Sequence, residues 1–167
     1  MLCVIAVLSP EVNKTLSLLR EAAMPQAVFS PLHAHITLAT YLPEETEPFI
    51  CECEKMFRGV HPFTVRYEKL EVLSETSIIV ATPTKTGELV SLHDCISDEY
   101  GQSLDQWTCD DNWYPHTTLI YNPEADLDAV CAEMMTRFVP FETRIETIEF
   151  SRVEETGYTL LKTIRLL

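Results

Sequence analysis

Glycine is scarce in this chain: four occur in 167 residues, at 59, 87, 101 and 157. No two stand at the spacing of GxGxxG or GxxxxGK[ST], so the backbone cradles of Rossmann and P-loop nucleotide sites are missing. Basic residues are few as well, 12 Lys and Arg against 26 Asp and Glu, which gives a net charge of −14. A protein that tracks a duplex neutralises many phosphates, and an anionic surface repels them. Long duplex nucleic acid is therefore excluded as a partner, whereas a small anionic ligand in a local pocket is allowed. Long apolar runs are also lacking. The longest, Leu2 to Leu8, falls well short of the roughly twenty residues a membrane helix needs, and no basic segment precedes it. A cytoplasmic protein with no membrane partner is expected. The six cysteines (3, 51, 53, 95, 109 and 131) include one CxC but no CxxC. No Cys/His quartet has zinc-finger spacing, so reduced thiols are expected and no metal or other cofactor is implied.

What is present is an ordinary globular composition, 46% apolar and 23% charged, long enough for one domain or two small lobes sharing a core, with no need of disulfide staples. The patterning predicts a buried strand over 2–8, a helix over 11–24 entered at Ser9-Pro10, a strand over 35–42, a helix over 45–60 and an alternating strand over 63–73. The order then begins again: strand 77–82, helix 87–100, loop 101–115, strand 116–121, helix 125–139, alternating strand 141–153, and a last strand over 158–166. Residues 62–72 and 140–150 align at an offset of 78 with Pro, Phe, Arg and two Glu in common (Pro62/Pro140, Phe63/Phe141, Arg66/Arg144, Glu68/Glu146, Glu71/Glu149). A duplicated unit with halves of about 1–74 and 75–167 is the expectation, forming a single domain of two pseudo-symmetric lobes.

Each half carries the same signature, H-x-T-apolar, in the strand after its first helix: His35-Ile36-Thr37-Leu38 and His116-Thr117-Thr118-Leu119. Residues i and i+2 of a strand share a face, so His35 and Thr37 point one way and Ile36 and Leu38 the other. If the halves pack about a twofold axis, two His/Thr pairs meet across one cleft. Such a constellation suits phosphodiester chemistry. A neutral imidazole accepts a proton from a hydroxyl or water, a protonated one opposite gives a proton to the departing oxygen, and the threonine hydroxyls donate to the phosphate oxygens.

The paired motifs, their spacing of 116 − 35 = 81 residues and the duplicated β/α order resemble the 2H phosphoesterase superfamily, which includes bacterial 2′-5′ RNA ligase-like proteins and 2′,3′-cyclic phosphodiesterases. The resemblance spans essentially the whole chain. It implies an α+β fold, duplicated and two-lobed, with antiparallel sheets lining a central cleft and helices outside. It also implies His35 and His116 as the acid/base pair and Thr37 and Thr118 as phosphate ligands. The function implied is metal-independent phosphodiester cleavage at a 2′,3′-cyclic phosphate or a 2′-5′ bond. The alternatives are a nucleotide-binding protein with the same pocket and no turnover, and an RNA 2′-5′ ligase. The expected partner is a small nucleotide or a short RNA end, met by a monomer.

Strand parity puts His33 and Tyr41 on the side of His35, and Tyr114 on the side of His116, so these three are candidate substrate contacts. Loops 25–34 and 101–115 are long enough to rim the cleft. The second holds Trp107, Trp113, Asp105, Asp110 and Asp111, with Trp113 a candidate for stacking on a base. His33 reads more simply as a solvated loop residue, since no neighbouring carboxylate in the sequence supports a metal site. His61 and His93 read as ordinary surface or helix residues. Cys51 and Cys53 do not face each other on a helix.

Overall fold

The computed structural model describes residues 1–24, 32–73, 76–109 and 112–167, and residues 25–31, Ser74, Glu75, Asp110 and Asp111 lie outside it. The described residues form eight strands and four helices, in the order β1 (Leu2–Val7), α1 (Pro10–Ala23), β2 (His35–Tyr41), α2 (Glu47–Met56), β3 (Phe63–Val72), β4 (Ile78–Pro83), α3 (Gly87–Tyr100), β5 (Thr117–Tyr121), α4 (Leu127–Met135), β6 (Phe141–Ile145), β7 (Thr147–Glu154) and β8 (Gly157–Arg165). Helix α1 starts as its sequence prescribes. Ser9 caps it, its Oγ accepting from the amide of Val12, and Pro10 sits in the first turn where no amide is needed. None of the described helices is long and apolar enough to cross a membrane. All six cysteines are free thiols.

The strands form two antiparallel four-stranded sheets, β2-β1-β7-β8 and β5-β4-β3-β6. This is the α+β architecture expected from the sequence. Each sheet draws on both halves of the repeat, because β3 of the first half joins the second sheet and β7 and β8 of the second half join the first. The single alternating strand expected over 141–153 is in fact two: β6 ends at Ile145 in one sheet, and β7 starts at Thr147 in the other. Alternation continues across Glu146, so the pattern hides the break. Strand β3 pairs with β6 so that Phe63 faces Ile145, Val65 faces Thr143 and Tyr67 faces Phe141. Shifting each residue by the 78-residue offset returns the same pairs, the register that a twofold axis through Val65 and Thr143 would generate.

Both motif strands are interrupted at the same place. Along β1 and β2, Val4 faces Ala39 and Ile5 faces Thr37, so Leu38 is an extra residue. Along β4 and β5, Ile79 faces Ile120 and Val80 faces Thr118, so Leu119 is extra. These are β-bulges, which twist a strand and let two successive side chains turn inward. Leu38 with Ala39, and Leu119 with Ile120, all enter the apolar core.

The core lies between the sheets and their helices. Phe49 of α2 is enclosed within it, 1% exposed, stacked on Tyr41 at 4.0 Å and meeting Tyr100 and Phe150 edge-on. Phe49→Ala should cost about 3–5 kcal/mol of unfolding free energy, the usual loss when a buried aromatic leaves a cavity. Equilibrium denaturation with urea measures it.

Candidate active site

The register sets out the site strand by strand. On the first sheet Thr37 of β2, Ile5 of β1 and Glu149 of β7 lie side by side. On the second sheet Thr118 of β5, Val80 of β4 and Glu71 of β3 do the same. Side chains directly opposite on neighbouring strands share a face, so each sheet shows a threonine, an aliphatic floor residue and a glutamate. Ile5 and Val80 are fully buried but stand apart from the main core cluster, beneath the polar side chains of that face.

The two motif histidines are held alike. Nδ1 of His35 lies 2.7 Å from the carbonyl of His33, and Nδ1 of His116 lies 2.7 Å from the carbonyl of Tyr114. A carbonyl can only accept, so Nδ1 carries the hydrogen and Nε2 is the nitrogen that titrates. Among the described residues neither Nε2 has a hydrogen-bond partner, and neither do the hydroxyls of Thr37 and Thr118. The strands bearing them are joined directly: Thr117 Oγ1 donates to the carbonyl of His35 at 2.9 Å and also meets the hydroxyl of the buried Tyr67 at 2.7 Å. Burial pushes the His35 imidazole down to about 4, against the pull of the His33 carbonyl, and the charges of His33 and then His116 lower it further. Burial lowers His116 too, opposed by the Tyr114 carbonyl and by the charge of Glu71. The charge of the His116 imidazole thus bears on His35.

The remaining candidates divide. Tyr114 stays beside its histidine, 37% exposed, its ring over that of His116 and its hydroxyl 2.5 Å from Glu71 Oε1. His33 is not a solvated loop residue: its Nε2 lies 3.2 Å from Glu149 Oε2, a carboxylate remote in sequence that β7 brings alongside. Tyr41 does not face the cleft. The bulge at Leu38 reverses the parity that pointed it there, and its ring stacks on Phe49 in the core. The same shift leaves Tyr121 on the cleft face of β5, opposite Ile78 and 57% exposed, an aromatic that strict alternation could not find. Trp113 is not a base-stacking platform either. It is 6% exposed, packs face to face on His93 at 4.0 Å and donates Nε1–H to the carbonyl of Thr37 at 2.9 Å. His93, read from sequence as ordinary, is buried and pairs its Nδ1 with the carbonyl of Leu38 at 2.8 Å. The two rings thus satisfy the carbonyls of Thr37 and Leu38, on either side of the bulge. Trp107 is exposed, and Asp105 is spent in its own loop on Thr108.

Among the described residues no three His, Cys, Asp or Glu side chains are grouped to hold a metal ion. A hollow of about 720 Å³ lined by Met56, Phe63, Glu88, Leu92 and Cys95 lies away from the motifs. The sequence match decides the lineage: the 2′-5′ RNA ligase superfamily matches residues 8–157. The chain belongs to this superfamily, the 2H phosphoesterases. No protein of curated function matches it by sequence. Among solved structures the 2H chain is similar to TT0787 of Thermus thermophilus (21% identity, TM-score 0.70, covering 99% of this chain and 97% of that one). It is similar to Escherichia coli LigT complexed with 3′-AMP (16% identity, TM-score 0.70, 99% and 97%). A structure described as a phosphoesterase matches with 16% identity and a TM-score of 0.71, over 99% and 97% of the two chains. At these identities the likeness is one of fold.

Trp113→Phe keeps the stack on His93 but leaves the Thr37 carbonyl without its donor. A loss of about 1–3 kcal/mol, the cost of an orphaned buried polar group, is expected in denaturant unfolding.

Proposed function

We propose that this 2H protein is a metal-independent phosphodiesterase that opens a 2′,3′-cyclic phosphate or cleaves a 2′-5′ phosphodiester bond of a small nucleotide or RNA end. The observation that carries the reading is the matched pair of imidazoles. Each is fixed through Nδ1 to a carbonyl, and among the described residues each presents an unpartnered Nε2 and stands beside an unpartnered threonine hydroxyl. A pure binding site has no need of a matched acid and base. In hydrolysis one neutral imidazole takes a proton from water as its oxygen bonds to phosphorus. The other, protonated, gives its proton to the ribose oxygen as that P–O bond breaks. The hydroxyls of Thr37 and Thr118 donate to the non-bridging oxygens as charge builds on them. Tyr121 and Tyr114 offer aromatic faces to the base at the second sheet. Structures of LigT with 3′-AMP, ATP and NADP+ support a small nucleotide as the ligand of this fold.

A panel of 2′,3′-cyclic nucleotides and 2′-5′-linked oligonucleotides, incubated with the protein in EDTA and resolved by chromatography, tests the reading. Turnover should persist in chelator. His35→Ala and His116→Ala should each lower kcat by about 10²- to 10⁴-fold, and the double variant should lose less than the product. Thr37→Val and Thr118→Val should cost roughly 10- to 10³-fold. Binding without turnover by the wild-type protein would make this a nucleotide receptor instead.

The net charge of −14 limits the substrate. With few phosphates engaged at once, cyclic mononucleotides or very short oligonucleotides should be processed at least as well as long RNA. The dependence of log kcat/KM on log salt should have a slope of about −1 to −2. A slope near −4 with preference for structured RNA would reveal a basic surface assembled by the fold.

A further inference from the structure

The line of residues that carries His35 runs on across the first sheet, past the motif. Val7 lies opposite His35 and Thr147 opposite Arg165, and the pairing of Ala6 with Ile148 makes Val7 and Thr147 neighbours. Residues directly opposite share a face. His35, Val7, Thr147 and Arg165 therefore form one line, beside the line of Thr37, Ile5, Glu149 and Thr163. With the strands in the order β2-β1-β7-β8, Arg165 stands three strand spacings from His35, about 14 Å between backbones. The surface between them is hollow: a pocket of about 270 Å³ is lined by Val7, Ser9, Arg144, Glu146 and Thr147.

The cations of the two sheets differ in what already holds them. Lys69 lies 2.8 Å from Glu71, Arg144 lies 3.1 Å from Glu146, and Arg66 is shared by Glu68 and Glu142. Lys85 rests on the carbonyl and the ring of Trp113. Arg165 is exposed and has neither an ion pair nor a side-chain hydrogen bond among the described residues. Its partner across the strand is a threonine, and none of the 26 acidic residues falls within 157–167. Glu149, in the adjoining line, is engaged by His33. The chain is strongly acidic as a whole, yet this edge of the cleft face carries an uncompensated positive charge. A guanidinium is always charged, and its fork matches the oxygens of a phosphate.

The direction of a bound nucleotide follows from the cleft described above. With its phosphate between the motifs and its base drawn to Tyr121 and Tyr114 on the second sheet, the 5′ oxygen of its ribose is directed along the first sheet, over the hollow. We propose that Arg165 is a specificity-determining residue that binds a phosphate on the 5′ oxygen of the nucleotide whose 2′- or 3′-phosphate lies between the motifs. This rests on the reading of the cleft as a nucleotide phosphate site and names the substrate class, a nucleotide phosphorylated on both sides of its ribose. The second phosphate is a terminal phosphomonoester or the diester that joins the last residue of an RNA end to its neighbour. An exposed cation can also blunt an edge strand against unwanted pairing, a role indifferent to any nucleotide.

Isothermal titration calorimetry in EDTA tests the assignment with three probes: adenosine 3′-monophosphate, adenosine 3′,5′-bisphosphate and the 3′-phosphorylated dinucleotide ApAp. The proteins are the wild type, Arg165→Gln, Arg165→Lys and Arg58→Gln, the last removing an equal charge from an exposed arginine in the turn after α2. The wild type should bind the bisphosphate about five- to tenfold more tightly than the monophosphate, an advantage that shrinks as salt rises. An equal gain for ApAp identifies the diester of an RNA end as the source of the second phosphate, and a gain for the bisphosphate alone identifies the phosphomonoester. Arg165→Gln should bring the ratio close to one, Arg165→Lys should keep part of it, and Arg58→Gln should keep it all. Equal affinities in the wild type overturn the assignment, as does an advantage that survives Arg165→Gln or is lost equally in Arg58→Gln. If none of the three probes binds, the nucleotide reading falls and the assignment with it, whereas binding of all three without preference removes Arg165 alone.

Discussion

A strand that must present a histidine and a threonine to the cleft, and then bury the next two residues, cannot keep strict alternation. The bulges at Leu38 and Leu119 resolve that conflict, and most of the site follows from them. They turn Leu38 and Ala39, and Leu119 and Ile120, into the core while the motif side chains keep the polar face. A bulge also disrupts ladder hydrogen bonds, and a carbonyl left without a donor in a protein interior costs free energy. On β2 that cost is met by two unlike rings stacked on each other, Trp113 serving Thr37 and His93 serving Leu38. The loop before the second motif thus braces the first motif. Thr117 adds a further tie, from inside the second motif to the carbonyl of His35.

A strongly acidic protein can host the proposed phosphodiester chemistry because the charges act at different ranges. The overall charge governs encounter with long polyanions, through fields that salt screens within about 10 Å. The proposed reacting centre is governed by nearer groups: two imidazoles held through Nδ1 and two threonine hydroxyls that have no partner among the described residues. The glutamates of the same face are each engaged, Glu71 by Lys69, Thr82 and Tyr114, and Glu149 by His33. Engaged carboxylates repel a phosphate less than free ones and can still bias a nearby proton equilibrium.

The chain shows why a repeat need not make two equal sites. The halves agree in the motif, the bulge, the carbonyl that holds each imidazole and the glutamate across the sheet. They differ at one anchor, His33 against Tyr114, and in enclosure, since Thr37 is half-buried and Thr118 exposed.

Much of this was legible from residues in order. The H-x-T-apolar motifs, their spacing and the period of the flanking segments are local signals, and they led to the α+β class, the superfamily and the two His/Thr pairs. The strand ends escaped reading where alternation runs on through a change of sheet, as at Glu146, because period alone does not record which neighbour a strand pairs with. Tyr41 was misplaced and Tyr121 passed over for a related reason: a bulge adds a residue without marking the pattern, and every later side chain changes face. Trp113 and His93 looked like a loop aromatic and a helix histidine, since nothing local says that a carbonyl far along the chain will need their N–H groups. Glu149 lies far in sequence from His33, and Glu71 from Tyr114, and only the order of strands in the two sheets makes them neighbours. The sequence by itself determined which groups could do the chemistry, because identity and short-range period are written along the chain. Tertiary structure alone decided which carboxylate stands beside His33 and which beside Tyr114, and which aromatic rings the cleft retains, because strand register and sheet partners are set by packing between distant segments.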